Sequence, residues 1–136
     1  MNLASLQSKL ETVINTDIQK VVFDFSTILN QDFEKEYPLV FWDLDNSKWT
    51  KELRGDKSKV TMDCFILGSI DENNEDKINV WDTLESQFDT YLLALNQLSN
   101  LFVSTDGITK EYYPAGLLTV DNEVGIRYAL ALILWC

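Results

Sequence analysis

The sequence predicts an α+β fold over residues 1–136, in the order α-β-β-β-α-β-β: one mainly antiparallel sheet with two helices packed on it. Two stretches carry apolar residues at helical spacing, one at the N-terminus and a stronger one across residues 81–98. The stretches between and after them alternate with period two, as half-buried strands do. No internal repeat, low-complexity tract or linker divides the chain, so a single domain is expected.

In the first helix, Leu3, Leu6, Leu10, Val13 and Ile14 share one stripe, and the pattern fades at Asn15-Thr16-Asp17, whose short polar side chains compete for the backbone. Over Gln19 to Ser26, Val21, Phe23 and Phe25 point one way and Val22 and Asp24 the other. A polar connector, Asn30 to Glu36, leads to Tyr37-Pro38 and a second strand, Leu39 to Trp42; Pro38, lacking an N–H, suits the start of a strand or an edge. From Asp43 to Ser58 the polar composition predicts a long loop. Val60, Met62, Cys64 and Ile66 then alternate with Thr61, Asp63, Phe65 and Leu67, predicting a long central strand partly covered on both faces. After the acidic stretch Asp71 to Asp76, Trp81, Leu84, Phe88, Tyr91, Leu92, Leu95 and Leu98 mark the second helix. Two final strands, Ile108 to Val120 and Val124 to Trp135, flank the turn Asp121-Asn122-Glu123. The last strand has a bulky face, from Val124 to Leu134, and a mostly small one holding Gly125, Ala129 and Ala131.

Composition removes several chemistries. There is no His, so neither a Ser-His-Asp triad nor an imidazole metal ligand can be built. Two Cys cannot form a four-thiolate zinc site or a disulfide framework. The net charge of −11, from 22 acidic and 11 basic side chains, works against holding a phosphate backbone. No apolar run approaches the roughly 18 residues of a membrane span, and the N-terminus lacks the basic start and apolar stretch of a secretory signal. The expectation is a reduced, soluble intracellular chain with no membrane partner and no cofactor.

LVFWDLDNS places Asp43 and Asp45 after an apolar run, resembling the DxD motif of the haloacid dehalogenase superfamily, in which the first Asp attacks phosphorus beside Mg²⁺. VVFDFSTIL comes close at Asp24, but Ser26 stands where a second Asp belongs. That superfamily needs a parallel, doubly wound sheet, whereas these strands read as antiparallel; a strand ending in a solvated Asp turn is the favoured reading. Asp71 to Asp76 lacks the EF-hand order and reads as a solvated or interface segment. Trp81 and Trp135 fall on core stripes, whereas Trp49 sits among Lys48, Lys51 and Glu52 in the expected loop and is an interface candidate. Cys64 falls on a core strand, an inert small hydrophobe.

Several segments together resemble the tail terminator, or tail completion, proteins of tailed bacteriophages. They are the YPL-type segment Tyr37-Pro38-Leu39-Val40-Phe41, the strand Val60 to Leu67 running into Asp71-Glu72-Asn73, the striped helix Val80 to Leu98, and the closing Gly125-Ile126-Arg127-Tyr128 strand. The resemblance is architectural and covers nearly the whole chain. It implies a non-enzymatic virion protein of the phage neck or tail, made in the host cytoplasm and assembled into a homo-oligomeric ring. Such a ring would contact adjacent neck, portal-adaptor or tail proteins and let DNA pass through its lumen without sequence-specific binding. A carboxylate-lined lumen would repel phosphates, and a ring requires two different patches meeting head to tail. The expected patches are Lys48, Trp49 and Lys51 on one side and Asp71, Glu72, Glu75 and Asp76 on the other, with Lys57 and Lys59 also able to pair with the neighbour's acids. The alternatives are a small Mg²⁺-dependent phosphotransfer enzyme using Asp43 and Asp45, and an acidic interaction module.

Overall fold

The computed structural model describes residues 3–13, 17–24, 36–51, 57–69, 77–113 and 123–135. Its elements run α1 (Leu3–Thr12), β1 (Lys20–Asp24), β2 (Leu39–Lys51), β3 (Ser58–Ser69), α2 (Lys77–Leu95), β4 (Leu101–Tyr113) and β5 (Glu123–Leu134), the expected order. The strands form one five-stranded sheet in the order β1-β2-β3-β5-β4. The β1–β2 pair is parallel and the other three pairs are antiparallel, so the fold is α+β with a mainly antiparallel sheet. No helix among the described residues is long and apolar enough to cross a membrane.

Alternation decides which side chains meet the helices. Val40 and Trp42 of β2, Val60, Met62, Cys64 and Ile66 of β3, and all six bulky residues of β5 lie in one buried core with Leu6, Leu10, Leu84, Phe88, Tyr91, Leu92 and Leu95. Inside it, Phe88 stacks on Tyr128 at 4.1 Å between ring centroids. The Tyr91 hydroxyl accepts a hydrogen bond from Trp42 Nε1 (3.1 Å) and donates one to the Leu10 carbonyl (2.9 Å). Leu10 lies in the last turn of α1, where carbonyls have no partner within the helix, so one residue of α2 caps α1 and anchors it to β2. Burial pushes the Tyr91 hydroxyl well above its usual titration range, with the Cys64 thiol adding to the effect.

The edges of the fold are also tied down. The Asn96 side chain accepts from Val103 N–H (2.7 Å) and donates to its carbonyl (3.4 Å), standing in for a neighbouring strand at the outer edge of β4. Lys9 Nζ donates to the Ser99 carbonyl at 3.0 Å, linking α1 to the turn after α2. Pro38 immediately precedes β2, and its carbonyl accepts from Gln19 N–H at 3.0 Å, extending the parallel pairing.

Four expectations need correction. The second strand does not stop at Trp42: β2 continues to Lys51, pairing Lys48↔Thr61 through Lys51↔Ser58, so most of the expected 43–58 loop is a hairpin arm. Its polar sequence hid it because β3 supplies the ladder bonds, which join backbone groups whatever the side chains. Asp43 is therefore not the solvated end of a strand; it is 1% exposed, at the start of a bulge. The fourth strand begins at Leu101 rather than Ile108, because Asn100, at φ 64°, turns the chain directly from the end of α2 into the sheet. Trp135, expected in the core, is half-buried just beyond β5. Ile14, Phe25, Ser26, most of the Asn30–Glu36 connector, Asp121 and Asn122 lie outside the described residues.

Both corrected strands are bulged, and the bulges are aligned. In β2 the register shifts between Asp43 and Lys48, opposite Met62; in β4 it shifts between Ser104 and Thr109, opposite Leu130. Met62 and Leu130 are themselves paired at the centre of the sheet. Each bulge turns one apolar residue, Leu44 or Ile108, back against the core.

Candidate functional site

The side of the sheet away from the helices carries the remaining chemistry. Cross-strand register assigns its rows: Lys59–Ile133–Phe102, then Lys48–Thr61–Ala131–Ser104, then Asp24–Asp43–Asp63–Ala129–Thr109, then Val22–Phe41–Phe65–Arg127–Glu111. The rows differ in kind. At the β1–β3 end of the last row, Phe41 and Phe65 are buried in a second cluster with Leu39 and Leu67, against which Val22 and Tyr37 pack. At its other end, Arg127 bonds Glu111 at 2.8 Å and reaches Asp63 at 3.7 Å. This ion pair sits on a sheet surface open to water, where such pairs contribute little stability.

The two rows nearest the β2–β3 turn are more open. In them Lys48, Lys59 and Phe102 are exposed and Thr61, Ala131, Ser104 and Ile133 are half-buried; Ala129, in the next row, is also exposed. The small face of β5, legible in the sequence as alternating Ala and Gly, is thus in part an open floor rather than a surface under a helix.

The carboxylate row across β1, β2 and β3 is where the DxD motif falls. Asp43 Oδ1 accepts from Asp45 N–H at 2.9 Å, and Ser47 Oγ donates to the Leu44 carbonyl at 2.9 Å, so these side chains fasten the bulge. Asp45 is exposed two residues further on and does not share the Asp43 environment. Among the described residues, no three carboxylates or thiols are grouped so as to hold a metal ion. Cys64 lies beneath this row on the core side; burial first, and the Asp63 charge second, raise its thiol well above its usual range, which keeps it protonated and unreactive.

On the helix side, Glu85 of α2 accepts from the Tyr112 hydroxyl and pairs with Lys110 at 3.2 Å, while Trp81 packs against Tyr112 at 5.3 Å between centroids. The Tyr112 hydrogen bond, with help from Lys110, holds the Glu85 carboxyl below its usual range. These contacts fasten α2 to the outer strand.

Of the sequence-predicted interface residues, Lys48 is exposed on β2 beyond the point where β1 ends. Trp49 and Lys51 pair by register with Val60 and Ser58 on the same arm. Asp71, Glu72, Glu75 and Asp76 lie outside the described residues. In the sequence the basic arm precedes the 12-residue strand β3, which it meets at Ser58, and the acidic segment follows that strand. At roughly 3.3 Å per residue the ends are about 36 Å apart. Residues 48–59 carry five basic side chains against two acidic ones, a local balance of +3 in a chain of net charge −11. Lys59, which the sequence already offered as a partner for a neighbour's acids, is exposed on β3; sequence reasoning missed Phe102, Ile133 and Leu93, and for Leu93 the available signal was an apolar residue off the α2 stripe. No family model matches this sequence, and no curated protein matches it.

Proposed function

We propose that this chain is a structural, non-catalytic subunit of a bacteriophage neck or tail, which assembles into a ring joining the head connector to the tail. DNA would pass through its lumen, and the protein would reside in the virion after assembly from the host cytoplasm. The observation that carries this reading is the uneven charge of the sequence: residues 48–59 hold five basic side chains against two acidic ones, and Asp71, Glu72, Glu75 and Asp76 follow after β3. Two patches of opposite charge are what a head-to-tail interface uses. The resemblance of the YPL segment, the striped helix and the Gly125-Ile126-Arg127-Tyr128 strand to tail terminators supports the same reading. So does the use of Asp43 as a fastener of its own bulge, which gives that carboxylate a structural role.

The test is mass by light scattering across concentration and salt, followed by negative-stain imaging. Closed rings of one size are expected, and the Lys48→Glu/Lys51→Glu variant should remain monomeric with an unchanged circular dichroism spectrum. A wild-type chain that is monomeric under all conditions, or a variant that still forms rings, would overturn the proposal.

A further inference from the structure

We infer that the open half of the sheet's far side receives the outer face of α2 from a second copy of this chain; this rests on the ring reading above. Three large apolar side chains stand exposed among the described residues: Leu93, Phe102 and Tyr112. Tyr112 is engaged by Trp81 and Glu85, which leaves Leu93, 67% exposed on α2, and Phe102, 45% exposed on the far side of β4.

The two surfaces match in shape and charge. On the receiving side, Phe102 and Ile133 end a floor of small side chains, Thr61, Ala131 and Ser104, flanked by exposed Lys48 and Lys59. Rows two residues apart along a strand are spaced about 6.7 Å, so the three rows down to Ala129 span about 13 Å. That matches the roughly 10–12 Å width of one helix. On the donating side, Asp82, Ser86, Asp89 and Leu93 recur at helical spacing and all are exposed. Lys48, Lys59, Asp82 and Asp89 have no ion-pair partner among the described residues. Seating α2 on the floor would bring the two Asp to the two Lys and Leu93 to Phe102 and Ile133.

The geometry also makes the contact intermolecular. Helix α2 packs on one side of the sheet and the floor is on the other, so a chain cannot fill its own floor. Each copy offers both surfaces, and the contact repeats head to tail.

The experiment uses equal amounts of ¹⁴N- and ¹⁵N-labelled full chain, joined with a zero-length carbodiimide that links Lys only to carboxylates in contact. Expected are links from Lys59 or Lys48 to Asp82 or Asp89 that pair one isotope with the other. Lys59→Glu should weaken assembly by about tenfold or more, and adding Asp89→Lys to it should restore assembly. An oligomer linked only through other residues, or a charge swap that restores nothing, overturns this contact and leaves the ring reading standing. A chain that forms no oligomer overturns both.

Discussion

Replacing Tyr91 with Phe removes one oxygen atom, and the structure sets what that atom is worth. The hydroxyl is buried where α1, α2 and β2 meet, accepting from Trp42 Nε1 and donating to the Leu10 carbonyl. Phe fits the space and keeps the ring contacts with Trp42 and Phe88, so the change isolates the polar term. It leaves a buried indole N–H without its acceptor and a C-terminal helix carbonyl without its donor. Each buried group stranded in this way costs about 1–3 kcal/mol, and together about 2–6 kcal/mol is expected. Unfolding entropy of about 2.1 cal/mol/K per residue puts 3 kcal/mol at roughly a 10 °C fall in Tm for a chain this size. Urea denaturation followed by far-UV circular dichroism and by tryptophan fluorescence measures it. A double-mutant cycle with Trp42→Phe should show coupling, because removing the indole N–H as well removes one of the stranded groups. A loss below about 0.5 kcal/mol with no coupling would refute the reasoning, since that is the size expected of a change away from any such feature.

Two further outcomes follow from side chains that fasten the sheet. Asn96→Ala should cost about 1–2 kcal/mol, because Val103 loses both partners at the β4 edge; Asn96→Asp, which keeps the acceptor for Val103 N–H, should recover part of it in the same urea titration. The Glu85 carboxyl titrates lower in the folded chain than in the unfolded one, owing first to its Tyr112 hydrogen bond. Its contribution is therefore present above the ordinary carboxylate range, near pH 4.3, and is lost as pH falls through the lower folded value. Between pH 6 and pH 3, wild type should lose up to about 1 kcal/mol relative to Glu85→Gln; parallel pH profiles in thermal melts would show the tie to be idle.

Element order was legible because period and burial agree in most of this chain. The alternation in Val60 to Leu67 and in Val124 to Leu134, and the stripe from Trp81 to Leu95, each report a face that meets one continuous core. Legibility failed where tertiary partners override composition. The Lys48–Lys51 arm is polar and reads as loop, yet β3 pairs with it throughout. Leu101 to Val103 lie between the striped helix and the expected start of the strand at Ile108 and are assigned to neither, whereas Asn100, in a left-handed conformation, turns the backbone into the sheet there. The candidate surface was half legible: its basic arm and its small β5 face stand in the sequence, but the openness of that face does not.

The sequence by itself determined the fold class, the order of its elements, the absence of imidazole and four-thiolate chemistry, and the uneven charge along the chain. These depend on residue type and local period, which are one-dimensional properties. Only the tertiary structure decided that β1 runs parallel to β2, that both bulges lie level with the Met62–Leu130 pair, and that Asp43 is buried in one of them. It alone put Lys59, Ala131 and Phe102 on one open surface with α2 on the opposite side. Those facts are relations between residues distant in the chain, and register, rather than any local preference, sets them.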